Sequence, residues 1–403
     1  MIDTIIIGGG IAGLIMAEYC IGKTDSVMLL EKYPNLGGRI LTHRSDTIQY
    51  EIGAGRIHAS HSRVHSLIKR FNLTTIPIPP DTMYHNDANP FQDLFEPIRK
   101  VLETIQPSEL AKHTIAELVP PAMHPIFKMF PYYAEFRVLR ADKALSLFRP
   151  NETMASAEYT VIKGGIDQLI TNYVSVLAKT TVNLRTRHRV EDIRHLGELF
   201  EITGNYGKKK EAKPFVFQCK RVILATDFQS FPKFSILKNA PFMKYLESSP
   251  LIRIYAVYPV FPGEEKVWFH DIKKTVSDTK LRFCIPIDAK KGLIMISYTD
   301  GEDTNIWREK EGDELQALIQ QEVKQLFPTK RIPEPTYLQK HDWKAGCTYW
   351  KKGNYDLEQT SLEAHNPIQN FYICGESINA SQSWIESALE SAEILQERFL
   401  SYA

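Results

Sequence analysis

The apolar positions of this chain fall into two rhythms. Short unbroken runs at Thr4 to Ile7, Ser26 to Leu30, Arg221 to Thr226 and Phe371 to Cys374 have the length and branched content of buried strands, as a parallel sheet requires. Leu251 to Tyr258, Arg282 to Ile287 and Leu293 to Tyr298 alternate instead, which predicts strands with one covered face. Helical periodicity marks Asp93 to Glu103, Ser108 to Leu118 and Arg140 to Phe148, and a further helix follows the first run through about Cys20.

The first strand ends in Gly8-Gly9-Gly10-Ile11-Ala12-Gly13, a G-x-G-x-x-G turn between strand and helix. Gly8 permits the tight turn, Gly10 lets the backbone approach a pyrophosphate, and Gly13 allows close helix packing. The helix start at Ile11 and Ala12 offers unpaired N–H groups to phosphate. The second strand closes on Glu31 and Lys32, eighteen positions after Gly13 in the case of Glu31. An acid there accepts hydrogen bonds from ribose hydroxyls and repels a 2′-phosphate.

At 403 residues the chain is long enough for two domains. Its 49 Lys and Arg balance 48 Asp and Glu, so charge gives no reason to expect nucleic acid or an acidic membrane as partner. Five cysteines, odd in number and without a C-x-x-C, suit free thiols in a reducing compartment. No signal peptide is read before the first strand, and no apolar run approaches the roughly 20 residues that span a bilayer. The expectation is a soluble cytoplasmic protein, with a homodimer allowed.

Beyond Glu31 the chain gives Leu36-Gly37-Gly38-Arg39, and from there it resembles the flavin amine oxidase family, which includes monoamine, polyamine and L-amino-acid oxidases. The resemblance makes Gly38 and Arg39 neighbours of an FAD pyrophosphate. It makes Gly53-Ala54-Gly55-Arg56 the segment beside the flavin ring, and gives Val190 a backbone contact with adenine. Gly375-Glu376 then touches the phosphate-ribityl region, and Trp384-Ile385 opens a last helix aimed at the flavin, where reduction deposits negative charge. The implied fold is α/β: a Rossmann-like FAD-binding domain from residues 1–75, 156–230 and 344–403, with a discontinuous mixed sheet-plus-helix substrate domain from 76–155 and 231–343.

On the substrate side, Gly-Ala-Gly-Arg-Ile is similar to the L-amino-acid oxidase version of its segment, which makes Arg56 a fork for a substrate carboxylate and Tyr298 a second donor. The alternatives are a structural arginine and a core tyrosine. Trp384 matches the aromatic at the flavin's reactive edge, with Tyr349 or Trp350 as the opposing wall. Arg253 stands where most of the family carries a lysine that holds a water against flavin N5, so an oxidase and a dehydrogenase both stay open. Cys347 lies in a stretch similar to the one bearing a covalent flavin cysteine, although its spacing from Trp343 is shorter. His58, His61 and His65 have the spacing of one face of a surface helix and carry no expected metal. Lys208-Lys209-Lys210 reads as a solvated hairpin tip. The reaction implied by the resemblance is hydride transfer from an amine or L-amino acid to flavin N5. It gives an imine, then an oxo product, ammonia and, with molecular oxygen, hydrogen peroxide. The alternatives are a polyamine or monoamine oxidase in which Arg56 recognises no carboxylate, and a flavin-binding scaffold with little or no turnover.

Overall fold

The computed structural model describes residues 1–85, 96–124, 127, 132–147, 158–208 and 210–400. The first strand, Ile2–Ile7, runs parallel between Val27–Leu30 and the far end of Lys213–Leu224, with Ile6 opposite both Leu29 and Ile223. Successive side chains of a strand point to opposite faces. Ile6 and Leu29 therefore face the helices Ile11–Tyr19, Gln168–Leu177 and Ile385–Leu400, while Ile5, Ile7, Met28 and Leu30 face Phe200, Phe231 and Trp350 on the other side. Two apolar layers explain why these strands read as unbroken hydrophobic runs.

The sheet has seven strands. Asn183–Arg185 lies outside Val27–Leu30, an antiparallel arm of His188–Leu196 and Leu199–Tyr206 leads into Lys213–Leu224, and Phe371–Ile373 pairs parallel with Val222 to Leu224. The run expected at Arg221 to Thr226 is thus the buried end of a strand twelve residues long. Lys208 lies on the connection between two strands of this arm, and Lys209 falls outside the described residues.

A second sheet of six strands is ordered Tyr337–Trp350, Leu246–Val257, Leu293–Asp300, Phe283–Asp288, Lys274–Val276 and Thr82–Tyr84. One face carries Ile252, Ile254, Ile294 and Ile296 onto Trp307 and the helix Gly312–Leu326. Its other face presents Arg253, Tyr255 and Tyr298 toward the segment around Glu51 and Gly53.

The helical segments differ in detail from the periodicity. Ser108 to Leu118 forms two short helices, Pro107–Leu110 and Ile115–Leu118, because Thr114 and Glu117 make a capping box that starts a new helix. Glu96–Leu102 and Ala141–Leu147 form as expected, while residues 93–95 and Phe148 lie outside the described residues. The histidines do not share a helix. His58 ends a strand, His61 is the buried residue that caps Ser62–Arg70, and only His65 lies within that helix. Each of the five cysteines is a buried free thiol. Among the described residues no helix is long and apolar enough to cross a membrane.

Candidate flavin and substrate site

The glycine turn is built by two opposite constraints. Gly8 has φ 109°, and a Cβ on it would collide with the Ala225 carbonyl; a Cβ on Gly13 would collide with the Gly8 carbonyl. Gly10 has extended backbone, and a Cβ there would meet nothing within 4 Å. The helix that starts at Ile11 and Ala12 has no side-chain cap, so its first N–H groups open onto that space. Glu31 is buried, and its carboxylate accepts from Gly9 N and from Tyr33 N at 2.8 Å each. Two oxygens retain further lone pairs, so holding the turn does not exhaust it as a ribose acceptor. Lys32 turns outward to Asp227, 3.7 Å away. His188 N donates to the Glu31 carbonyl at 2.8 Å, which sets the strand of Val190 beside the end of Glu31.

Three remote segments close on this turn. Gly37 N donates to the Gly9 carbonyl at 2.8 Å, and Gly38, with φ 59°, lies against Gly10. Arg39 pairs with the buried Glu376 at 2.6 Å and donates to the Gly346 carbonyl at 3.0 Å, tying the amino-terminal part of the chain to its last strand and helix. A Cβ on Gly53 would collide with the Arg39 carbonyl, and Ala54 N donates to that carbonyl at 2.9 Å. Gly55 packs between Glu51 and Arg253. Gly375 has φ 125° with open space where a side chain would be, and Ile385 begins the buried closing helix. Open cradles at Gly10 and Gly375, an uncapped helix start and a half-buried Arg39 paired with the buried Glu376 together fit a dinucleotide with a pyrophosphate.

The substrate side is assembled from side chains far apart in sequence. The Arg56 guanidinium lies over the Tyr159 ring at 5.1 Å and the Trp384 ring at 5.7 Å, and these two rings are stacked 6.1 Å apart. His61 meets Trp384 edge-on at 5.0 Å, and burial lowers its pKa to about 4. Tyr298 is within electrostatic reach of Arg253 and Arg56, and burial raises its pKa despite them. Arg253 donates to the carbonyls of Gly53 and Glu51, while its Nε is buried without a partner among the described residues. The guanidinium thus clamps the flavin-side backbone.

Trp384 and Tyr349 are not brought into ring contact. Strand alternation turns Cys347 and Tyr349 toward the helical cluster around Leu102, Ile115 and Phe136, while Thr348 points the other way and donates to Glu376 at 3.3 Å. Trp350 is fully buried and donates from its indole nitrogen to the Asn379 carbonyl at 2.8 Å, so it is core and not a wall. The ring beside Trp384 is Tyr159, which carried no motif.

Other residues were missed for the same reason. Tyr349 Oη donates to Glu135 Oε1 at 3.0 Å, and Asp300 accepts from Tyr133 N at 3.1 Å and Ala134 N at 2.9 Å. Burial raises Glu135; burial, with the charge of Glu135, pushes Asp300 up to about 8. Lys274, lowered to about 7 by burial and then by Arg56, stands beside Arg56.

The chain that carries this site is matched by the family model described as flavin containing amine oxidoreductase, over residues 11–154 and 134–394. The chain belongs to that family, and its cofactor is FAD. The flavin-containing amine oxidase A of Bos taurus is 29% identical over 103 residues, which are 24% of this chain and 20% of that one. The L-amino-acid oxidase of Mus musculus is 34% identical over 71 residues, 17% of this chain and 11% of that relative. The aligned stretches therefore span about a fifth or less of these two relatives. Among solved structures, cyclohexylamine oxidase from Brevibacterium oxydans IH-35A is similar over 100% of this chain and 99% of its own, with TM-score 0.75 and 15% identity. A putrescine oxidase bound to putrescine covers 99% of both chains with TM-score 0.72 and 14% identity.

Proposed function

We propose that the chain oxidises the C–N bond of a small amine that also carries a carboxylate, an L-amino acid in the simplest case, to an imine that hydrolyses to an oxo product and ammonia. The observation that carries this reading is the Arg56 guanidinium held against Tyr159 and Trp384. A planar guanidinium takes a carboxylate through two parallel hydrogen bonds, and aromatic flanks keep water from weakening them. Tyr298, kept protonated by burial, is the second donor. Bound FAD supplies the hydride acceptor and passes its electrons to an oxidant, molecular oxygen in the oxidase reading.

The protein's own residues do the remaining work. The glycine turn, Arg39 and Glu376 hold the cofactor, and Trp384 with Tyr159 orients the reacting carbon. Arg253 spends Nη1 on the carbonyls of Glu51 and Gly53 and cannot deprotonate, which favours slow use of oxygen or a dehydrogenase. Residues 1–75, 156–230 and 344–403 serve the cofactor in this reading, and residues 76–155 and 231–343 serve the substrate.

The buried Glu135 and Asp300 favour a second reading, an amine or polyamine oxidase in which Arg56 does not read a carboxylate. Anaerobic mixing with L-amino acids, their methyl esters, the corresponding amines and polyamines separates the two. Loss of the yellow flavin colour with amino acids but not with esters supports the carboxylate reading, and equal bleaching by amines favours the second. Colour that persists with every compound indicates a flavin scaffold. Arg56→Lys is expected to weaken amino-acid binding by roughly 10- to 100-fold, with little effect on amines.

A further inference from the structure

We propose that Glu135 and Asp300 form the proton sink of the substrate cavity, receiving the proton that an ammonium substrate sheds before its carbon can release hydride. This rests on the reading above, in which the cavity takes an amine. Glu135 lies on the short helix Tyr133–Arg137, and Asp300 ends the strand that carries Tyr298. Asp300 is fixed by the two backbone N–H groups at the start of that helix, at 3.1 and 2.9 Å. Glu135 Oε1 accepts from Tyr349, whereas Glu135 Oε2 is buried and receives no hydrogen bond among the described residues. A buried carboxylate oxygen without a donor is costly and calls for one. Asp300 follows Tyr298 by two residues on the same strand face, and Tyr298 lies under the Arg253 guanidinium at 5.1 Å, which sets the acids on the sheet face turned toward Gly53; Tyr298 and Tyr132 are each within electrostatic reach of Arg56.

Amines reach the protein as ammonium ions, and the nitrogen lone pair must be free before the neighbouring C–H can leave as hydride. Most groups facing the pair cannot accept that proton. Arg56 and Arg253 are permanently charged. The phenols of Tyr132, Tyr298 and Tyr349 and the thiol of Cys347 are pushed up by burial and already hold theirs. Asp303, which adds negative charge beside Asp300, is paired with Arg282 at 3.0 Å. Lys274 is the competing acceptor, and it sits on the Arg56 side.

Burial raises a carboxylic acid and lowers an ammonium, so in a dry cavity neutral amine beside neutral acid is favoured over the ion pair. The step is a simple transfer. An N–H bond of the substrate breaks with its electron pair left on nitrogen, an O–H bond forms at Glu135 Oε2, and total charge is unchanged.

The test is the pH dependence, from 6 to 10, of the anaerobic bleaching rate of the FAD-loaded protein with an amine that bleaches the wild type. Glu135→Gln keeps an acceptor for Tyr349 and is expected to bleach about 100-fold more slowly at pH 7. Its rate should approach wild type once the pH exceeds the ionisation of the substrate ammonium, where solution supplies neutral amine. Asp300→Asn removes the group that titrates at about 8 and should remove the matching inflection from the profile. A purely structural defect would slow the reaction equally at every pH. A wild-type profile in both variants, or a profile moved by Lys274→Met and by neither acid variant, overturns the proposal. If Glu135→Gln fails to retain flavin, Asp300→Asn decides. A wild type bleached by no amine sinks the functional reading itself, and the sink with it.

Discussion

Gly8 and Gly10 sit two positions apart and differ in what surrounds them: the chain itself crowds Gly8, whereas Gly10 faces open space that the proposed function gives to the cofactor. A side chain at Gly8 strains the turn in the protein alone, because φ is 109° and the Ala225 carbonyl occupies the space. A Cβ at Gly10 meets nothing within 4 Å, so Gly10→Val should leave the melting temperature of the flavin-free protein unchanged, while weakening FAD affinity on the order of 100-fold in a titration. An unfolded or strongly destabilised Gly10→Val would show that this glycine serves the fold and not the nucleotide. The turn was legible in the sequence because its constraints are local: strand, glycines and helix are consecutive. Glu135, Tyr159 and Lys274 were not, since each sits in a segment without a motif and acquires its meaning from a strand or helix elsewhere. Tyr349 was read as a wall because residue spacing alone does not say to which face of the sheet a side chain turns.

Elements were legible where periodicity ran without interruption and misread where a cap broke it. The spacing of His58, His61 and His65 fits a helix, yet Glu386 on the closing helix accepts from Arg63 N and Val64 N at 3.0 Å each and fixes the start of that helix one residue after His61. This leaves His61 buried beneath it, its Nδ1 accepting from His58 N at 3.2 Å, an arrangement available only to the neutral ring. The pKa is about 4 in the fold against about 6.5 unfolded. The stability this contributes is complete above about pH 6.5 and is lost as the pH falls toward 4, by up to about 3 kcal/mol at 1.36 kcal/mol per unit. Denaturant melts of His61→Gln should therefore show a shallower decline than wild type between pH 6.5 and 4. Parallel curves would refute the assignment of neutral His61 to the native state.

At the scale of the molecule, both large sheets are built from strands scattered along the chain. The seven-stranded sheet draws on residues between Ile2 and Leu30, Asn183 and Leu224, and Phe371 and Ile373, while the six-stranded sheet takes Thr82–Tyr84 and strands between Leu246 and Trp350. What the sequence did not reveal is how the six-stranded sheet is tied to the segment beside the glycine turn, because Arg253 and Tyr255 donate to the backbone carbonyls of Glu51 and Gly53, which leave no residue signature. A nucleotide seated on the glycine turn, Arg39 and Glu376 binds only the assembled state. FAD at 100 times its dissociation constant should then stabilise the protein by about 2.7 kcal/mol, with a single melting transition shifted upward. Two transitions, only one of them responding to FAD, would mean that the sheets unfold independently.

The Arg39–Glu376 pair and the Phe371–Ile373 strand also impose an order on biosynthesis. A ribosome delivers the glycine turn more than three hundred residues before the partners that complete its surroundings, an interval of roughly 20 to 70 seconds at about 5–20 residues per second. From their own synthesis until Phe371–Ile373 follows, about 150 residues later, Val222 to Leu224 present an unpaired strand edge, and a nucleotide that needs Glu376 is not captured before then. Vitamin-starved cells should accordingly accumulate a full-length chain awaiting its chromophore, not stalled fragments.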